Sequence, residues 1–136
     1  MSFTQYIKTT WTPRVQSIMR IVAAYLFMLH GSSKILHIPY IARFEHVHIF
    51  SLAGLAGMLE LVGGALLILG MFTRPVAFVL SGEMAFAYFM AHASRGHIWL
   101  PLMNGGDAAV LYCFIFLFLA IAGGGTWSID RIFRGR

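Results

Sequence analysis

The apolar stretch from Phe50 to Met71, FSLAGLAGMLELVGGALLILGM, decides the fold class of this chain. Glu60 is its single charged residue. The stretch is about as long as the roughly 20 residues that a helix needs to cross about 30 Å of hydrocarbon. Irregular backbone cannot face lipid, and the chain lacks the alternating strands of a membrane barrel. We therefore predict a transmembrane helix here.

Three further apolar segments have similar lengths, so four spans are predicted at 15–36, 50–71, 75–93 and 106–124. Of the 136 residues, 59% are hydrophobic and 11% are charged, whereas a soluble domain carries about 25% charged residues. The predicted fold is all-α, a transmembrane four-helix bundle in which residues 1–136 form a single domain.

Local signals set the ends of these segments. The third segment opens at Thr73-Arg74-Pro75, where the proline fits a first helical turn. Asp107 is placed to cap the fourth segment, which ends at the triple glycine 123–125. Apolar residues at helical spacing in residues 1–12 predict a short N-terminal interfacial helix.

The basic residues indicate the orientation. Six of them are predicted on one side of the membrane and three on the other, which places both termini in the cytoplasm. The formal net charge is +5, but the Lys and Arg residues stand singly between apolar runs, so nucleic acid is not an expected partner. Cys113 is the single cysteine, so a redox role would need a cofactor or a partner.

Ionisable residues inside the predicted spans are the main candidates for function, since each costs at least about 2.5 kcal/mol at the centre of a span. Counted from the cytoplasmic ends at about 1.5 Å per residue, Arg20 lies roughly 8 Å deep, Glu83 roughly 12 Å and Glu60 roughly 16 Å. We predict that Arg20 pairs with one of the two glutamates and that the other is protonated or hydrogen-bonded. A structural ion pair and a ligand, proton or quinone site both remain open.

A second polar layer is predicted near the outer side. Its candidates are His30, Lys34, His92, Asn104 and Asp107. Snorkelling of Lys34 and capping by Asp107 are structural alternatives. His92 lies about 180° around the helix from Glu83, so the two are not expected to face one cavity.

Three histidines in the first outer loop, His37, His46 and His48, are weak candidates for metal ligands. Their spacing does not form a metal-binding signature, and loop histidines are usually solvated. We expect no metal.

The motifs resemble those of a known family. Helix one carries F-x-x-H-G-x-x-K from Phe27 to Lys34, and Glu60-Leu-Val-Gly63-Gly64 begins a second block that continues as Leu69-Gly70-Met-Phe-Thr73-Arg74. Asn104-Gly105-Gly106 and Ser128-Ile-Asp130 also match, so the similarity covers roughly residues 17 to 132. This combination is similar to the DoxX family.

The resemblance implies a multi-pass protein of the bacterial inner membrane. Relatives are associated with thiosulfate oxidation coupled to quinone, with membrane redox complexes and with responses to quinone or thiol stress. This chain departs from them in its histidine-rich first outer loop. It also contains no haem pair, flavin motif or iron–sulfur cysteines.

Three functions are therefore open. The leading hypothesis is an accessory subunit, without catalytic activity of its own, that binds quinone or another small hydrophobic ligand in a redox or stress-response system. The second is a small transporter or channel for protons or cations, which would require a homo-oligomer. The third is a structural or chaperone-like partner. The expected partners are lipid and other membrane or redox proteins, and the expected cofactors are quinone or lipid, none of them covalent.

Overall fold

The computed structural model describes residues 1–134, and over that range it is helical, without a β-strand. The α-helices are α1 (Phe3–Tyr6), α2 (Thr12–Ile35), α3 (Leu52–Leu69), α4 (Thr73–Ala87), α5 (Pro101–Asn104), α6 (Asp107–Ala122) and α7 (Ile129–Arg134). Two π-helical turns, Ile7–Trp11 and Tyr88–His92, and two 3-10 turns, Ala42–Phe44 and Ala93–Arg95, complete the helical structure.

The long helices α2, α3, α4 and α6 match the four predicted segments to within a few residues. Two helices are long and apolar enough to cross a membrane, Leu52–Leu69 and the continuous stretch Thr73–Arg95. Helix α6 is apolar but shorter. Helix α2 has 24 residues, and it carries three basic side chains, Arg14, Arg20 and Lys34.

The N-terminal residues are helical, but they do not form a separate helix. Helix α1 continues through the π-helical turn directly into α2, and Thr12 donates its N–H to the carbonyl of Ile7. Pro13 follows at the start of α2. Proline has no N–H to donate, which favours a wider turn before it over a loop. The predicted separate interfacial helix in residues 1–12 is therefore wrong in this respect, since the helix is continuous with α2.

Glycines allow α2 and α3 to touch through their backbones. A Cβ atom on Gly31 would lie 2.6 Å from the carbonyl oxygen of Gly57, and one on Gly64 would lie 3.2 Å from the carbonyl oxygen of Ala24. Such distances leave no room for a larger residue at Gly31. Small residues at helix crossings are typical of membrane proteins, because close packing must replace the missing hydrophobic drive.

Helices α4 and α6 pack through larger side chains. Leu80, Met84, Phe116 and Leu119 belong to the main buried cluster. The hydroxyl of Ser81 donates to the carbonyl of Cys113 at 2.8 Å, which ties the two helices together. Phe27 of α2 joins this core by packing edge-on against Phe116, with ring centroids 4.8 Å apart.

The burial pattern is the inverse of that in a soluble protein. Arg20 is completely buried, whereas Phe78 and Phe114 are about two-thirds exposed, at 67% and 65%. Valines and leucines also cover the outside of α2 and α3. A water-soluble monomer rarely exposes so continuous an apolar surface. This surface suits contact with lipid.

Candidate functional site

Lys34 and Glu60 form a buried ion pair between α2 and α3. The Lys34 Nζ lies 2.6 Å from the Glu60 Oε1, and their side chains are 15% and 4% exposed. The close packing of Gly31 against the backbone at Glu60 brings the two helices together at this level. Side chains on a helix lean towards its N-terminus, so Lys34, near the C-terminal end of α2, reaches back between the helices.

Glu83 of α4 is the second acid of this site. Both of its carboxylate oxygens are buried without a hydrogen-bond partner in the described part of the chain, and so is the Oε2 of Glu60. Glu60 and Lys34 both act electrostatically on Glu83. We call these three residues the Lys34–Glu60–Glu83 cluster. It contains two acids and one base, and three of its carboxylate oxygens have no donor.

Aromatic rings lie beside this cluster. The Lys34 Nζ is 5.7 Å from the ring centroid of Phe44. His30 lies one turn earlier on α2, where the positive charge of Lys34 acts electrostatically on its imidazole ring. The ring centroids of His30 and Tyr112 are 6.4 Å apart, and Tyr112 packs against Phe27 at 5.3 Å. His30 is exposed on the outside of the helices. The cluster therefore has a ring-lined side between α2 and α6.

Arg20 does not belong to this cluster, so the predicted pairing of Arg20 with Glu60 or Glu83 was wrong. The Arg20 Nε donates to the carbonyl of Gly124 at 2.9 Å, and its Nη1 donates to those of Ile68, at 2.9 Å, and Leu67. Its Nη2 donates to the carbonyl of Trp127. No carboxylate among residues 1–134 lies within 4.0 Å of Arg20.

The error came from the assumed depth of Arg20. The contacts with Leu67 and Ile68 place Arg20 at the last turn of α3, seven residues beyond Glu60. Seven residues correspond to roughly 10 Å along a helix. The depths were counted as if the cytoplasmic ends of the helices lay level, whereas Arg20, eight residues after the start of α2 at Thr12, lies beside the last turn of α3. Lys34, which was predicted in the second polar layer near the outer side, lies beside Glu60 instead.

The segment that follows α6 is fastened to the start of α2. The Gln16 Nε2 donates to the carbonyl of Gly123 at 2.6 Å, and the backbone N–H of Trp127 donates to the Ser17 hydroxyl at 3.0 Å. We call residues 123–130 the C-terminal clasp. Together with Arg20, these contacts hold the clasp against α2 and the end of α3.

Asp130 ends the clasp by capping α4. Its two carboxylate oxygens accept the backbone N–H groups of Phe72 and Thr73, each at 2.8 Å. Partial burial raises the pKa of Asp130. These hydrogen bonds and the positive charge of Arg134 lower the pKa by more than burial raises it, so the pKa of Asp130 lies below the ordinary aspartate value. Ser128-Ile-Asp130 had been noticed only as a motif. Its contacts span more than 50 residues, and no local pattern signals them.

The predicted second polar layer is present only in part. The carbonyl of Asn104 lies 3.2 Å from the His92 Nδ1, and the Asn104 Nδ2 donates to the Tyr88 hydroxyl at 3.2 Å. Tyr88 was not among the predicted residues. Lys34 instead belongs to the Lys34–Glu60–Glu83 cluster, and His30 lies one turn from Lys34 on α2.

Asp107 is exposed, and it is the first residue of α6 and not its cap. Gly106 takes the cap position, and its N–H donates to the Asn104 Oδ1 at 2.9 Å. The predicted capping role of Asp107 was therefore wrong, because the helix already begins at Asp107, which is one residue earlier than a capping Asp107 would require.

The loop histidines His37, His46 and His48 are exposed. Within residues 1–134, no three His, Cys, Asp or Glu side chains come close enough to hold a metal ion. The nearby Glu45 instead accepts a hydrogen bond from the Tyr40 hydroxyl at 3.0 Å.

Comparison with known proteins identifies the family. The sequence model of the DoxX family matches residues 15–93, more than half of the chain. The chain belongs to the DoxX family. The matched region contains all three residues of the Lys34–Glu60–Glu83 cluster and Arg20, whereas the clasp lies outside it.

A relative of this DoxX protein covers nearly the whole chain. An uncharacterized protein of Haemophilus influenzae is 42% identical over 125 residues, which is 90% of this chain and 93% of the relative. No solved structure matches the DoxX protein. Membership of the family indicates the kind of protein. What the protein binds has to be inferred from the residues of the site.

The cluster can accept hydrogen bonds or protons. Three buried oxygens without donors carry a cost of desolvation that an incoming donor would relieve. Lys34 and His30 can donate to an acceptor on the same molecule. The site therefore suits a small ligand that has both hydroxyl and carbonyl character, or a proton.

Proposed function

We propose that this DoxX protein crosses the bacterial inner membrane as a four-helix bundle of α2, α3, α4 and α6, with both termini in the cytoplasm. The exposed apolar side chains and the two helices of spanning length support this arrangement. The excess of basic residues at the ends that carry the termini supports the orientation. Residues 1–12 then lie at the cytoplasmic interface.

We further propose that the protein binds a quinone or a similar small hydrophobic ligand at the Lys34–Glu60–Glu83 cluster. The observation that carries this proposal is the set of three buried carboxylate oxygens without donors. A quinol hydroxyl can donate to Glu83, while Lys34 or His30 donates to the opposite oxygen of the ring. The half-buried ring of Tyr112, whose centroid is 6.4 Å from that of His30, offers an aromatic surface for the ligand ring.

In this role the chain is an accessory subunit of a membrane redox or stress-response system and has no catalytic activity alone. The electrons would pass to or from a partner protein, since the chain contains no cofactor motif of its own. Co-purification from the native membrane would identify that partner.

The test is binding of a short-chain quinone to the full-length protein in lipid nanodiscs. The variant Glu83→Gln keeps the size of the side chain but replaces one carboxyl oxygen with an amide group that cannot accept a hydrogen bond, and we expect at least about tenfold weaker binding, since leaving a buried donor unpaired costs about 1 to 3 kcal/mol. Glu45→Gln, in the exposed outer loop, is the matched control. Equal affinities of the wild type and Glu83→Gln would refute the proposal.

A second candidate function is proton or cation transfer. Two neighbouring acids that share one lysine favour it, because like charges in an apolar site readily take up a proton or a cation. Four helices leave little room for a pore, so this function requires an oligomer. Flux into proteoliposomes that disappears in Glu83→Gln, without any quinone binding by the wild type, would support it over the first proposal.

A further inference from the structure

A polar cavity lies at the end of the helices where α2 begins and α6 ends. Its volume is about 290 Å³. The residues that line it come from the start of α2, the end of α6, the clasp and α7, and they include Gln16, Ala122, Asp130, Arg131 and Arg134. Arg20 and its carbonyl partners separate this cavity from the Lys34–Glu60–Glu83 cluster. It is therefore a second place where a small molecule could bind.

The cavity is electropositive. Arg131 and Arg134 line it, and Arg74 adjoins it, with its Nε 3.4 Å from the position that a Cβ atom of Gly123 would occupy. In the part of the chain that the structure describes, no carboxylate lies within 4.0 Å of any of these guanidinium groups. Asp130 is the acid in the lining, and both of its oxygens already accept backbone N–H groups.

We propose that this cavity binds a phosphate group. The planar guanidinium group forms paired hydrogen bonds with phosphate oxygens, and two such groups, those of Arg131 and Arg134, line a space large enough for a phosphate ester. The amide of Gln16 adds a polar wall on the side of α2. The site goes beyond the proposed function, since it shares no residue with the cluster and does not depend on quinone or proton binding.

The surroundings of the cavity favour a lipid as the source of the phosphate. Trp127, Ile132 and Phe133 are exposed beside it, at 54%, 74% and 82%. Tryptophan and mixed basic and apolar side chains are typical of the headgroup level of a bilayer. The phosphodiester of an anionic phospholipid would lie there. A soluble phosphate ester offers the same chemistry, so the experiment must separate the two sources.

The experiment uses the full-length protein in nanodiscs of phosphatidylcholine. Phosphatidylglycerol is added in steps, and its binding is followed by native mass spectrometry and by the shift in Tm. Glycerol 1-phosphate, added from solution in a second series, tests the soluble source. We expect the double variant Arg131→Gln/Arg134→Gln to bind phosphatidylglycerol at least about tenfold more weakly, because two charge-assisted contacts are lost.

Two further variants make the result specific. Lys8→Gln removes one positive charge near the same end but away from the cavity, and it should bind nearly as well as the wild type. Ala122→Leu fills the cavity without changing any charge, and it should weaken binding as the arginine variants do. Binding of glycerol 1-phosphate alone, lost in the same variants, would support a phosphate site that is supplied from solution.

Three outcomes would overturn the proposal. In the first, neither the lipid nor the soluble ester binds. In the second, the double arginine variant weakens binding no more than Lys8→Gln does, which would reduce the effect to general attraction between a basic surface and anionic lipid. In the third, Ala122→Leu retains full affinity, which would place the contact outside the cavity.

Discussion

Arg20 and Lys34 are two cations on the same helix, and their surroundings differ sharply. Arg20 is fully buried and donates to the backbone carbonyls of four residues, so its hydrogen bonds are complete. Lys34 contacts one oxygen of Glu60, whereas the other oxygen of Glu60 and both oxygens of Glu83 have no donor among residues 1–134. A buried polar group whose hydrogen bonds are all formed stabilises the fold. A buried polar group that lacks hydrogen-bond partners can still bind a proton or a ligand.

The largest expected effect is on stability in Arg20→Leu. Four carbonyl groups lose their shared donor, and we expect the free energy of unfolding to fall by about 3 to 5 kcal/mol, as when one partner of a buried pair is removed. Thermal unfolding in nanodiscs measures this. Adding Glu60→Gln should rescue nothing. Rescue by Glu60→Gln would mean that the two residues are paired after all and would end the contrast between the two cations.

Lys34→Met should have the next largest effect. It leaves Glu60 and Glu83 without a base, and we expect a loss of about 2 kcal/mol, less than for Arg20 because Lys34 is partly exposed. In this case Glu60→Gln should recover much of the loss, since it removes the uncompensated charge. Thermal unfolding of Arg20→Leu/Glu60→Gln and of Lys34→Met/Glu60→Gln shows which of the two cations is paired with Glu60. Failure of Glu60→Gln to rescue Lys34→Met would contradict the ion pair.

Asp130→Ala tests the clasp apart from Arg20. Removing the cap of α4 should cost about 1 to 2 kcal/mol, while Asp107→Ala, which removes an exposed acid at the start of α6, should cost less. The pKa of Asp130 is lowered in the folded protein, so its stabilisation is present above the ordinary aspartate pKa of about 4 and is lost as the pH falls through the folded pKa. The difference between the wild type and Asp130→Ala in thermal unfolding should therefore shrink in acid. A constant difference would show that the charge of Asp130 does not matter.

Glu83→Gln should change stability least, by less than about 0.5 kcal/mol, because Glu83 has no hydrogen-bond partner to lose. Thermal unfolding beside Glu60→Gln provides the measurement. Glu60→Gln should cost more, since it breaks the contact with Lys34. A large decrease in the free energy of unfolding of Glu83→Gln would show that Glu83, like Arg20, stabilises the fold.

The helices could be predicted because their signals are local. The apolar run 50–71 and the Thr73-Arg74-Pro75 start are read directly along the chain, and α3 and α4 follow them closely. The seven residues expected to act within the spans were also chosen locally, by the cost of placing charge in hydrocarbon. What the sequence could not provide was the partner of each.

The missing partners have physical reasons. Arg20 is bound by backbone carbonyls, and every residue has a carbonyl, so the sequence carries no mark of these acceptors. Lys34 was placed by its position near a helix end, although its side chain reaches Glu60 across the contact between α2 and α3. Asp130 caps a helix that begins 57 residues earlier in the chain, and only the folded structure brings the two together.

The hydrogen bonds of Arg20 also constrain how the protein is made. Arg20 leaves the ribosome 104 residues before Gly124, and Trp127 follows later still. Since synthesis runs from the N-terminus, the first helix is made before any of the four acceptors exists, and half of them, at Gly124 and Trp127, follow only after residue 122. Until these acceptors are made, the guanidinium group must lie at the level of the lipid headgroups. Only the last part of the nascent chain allows it to move inward, so a ribosome that stops at residue 122 would release a protein whose first helix is not yet seated.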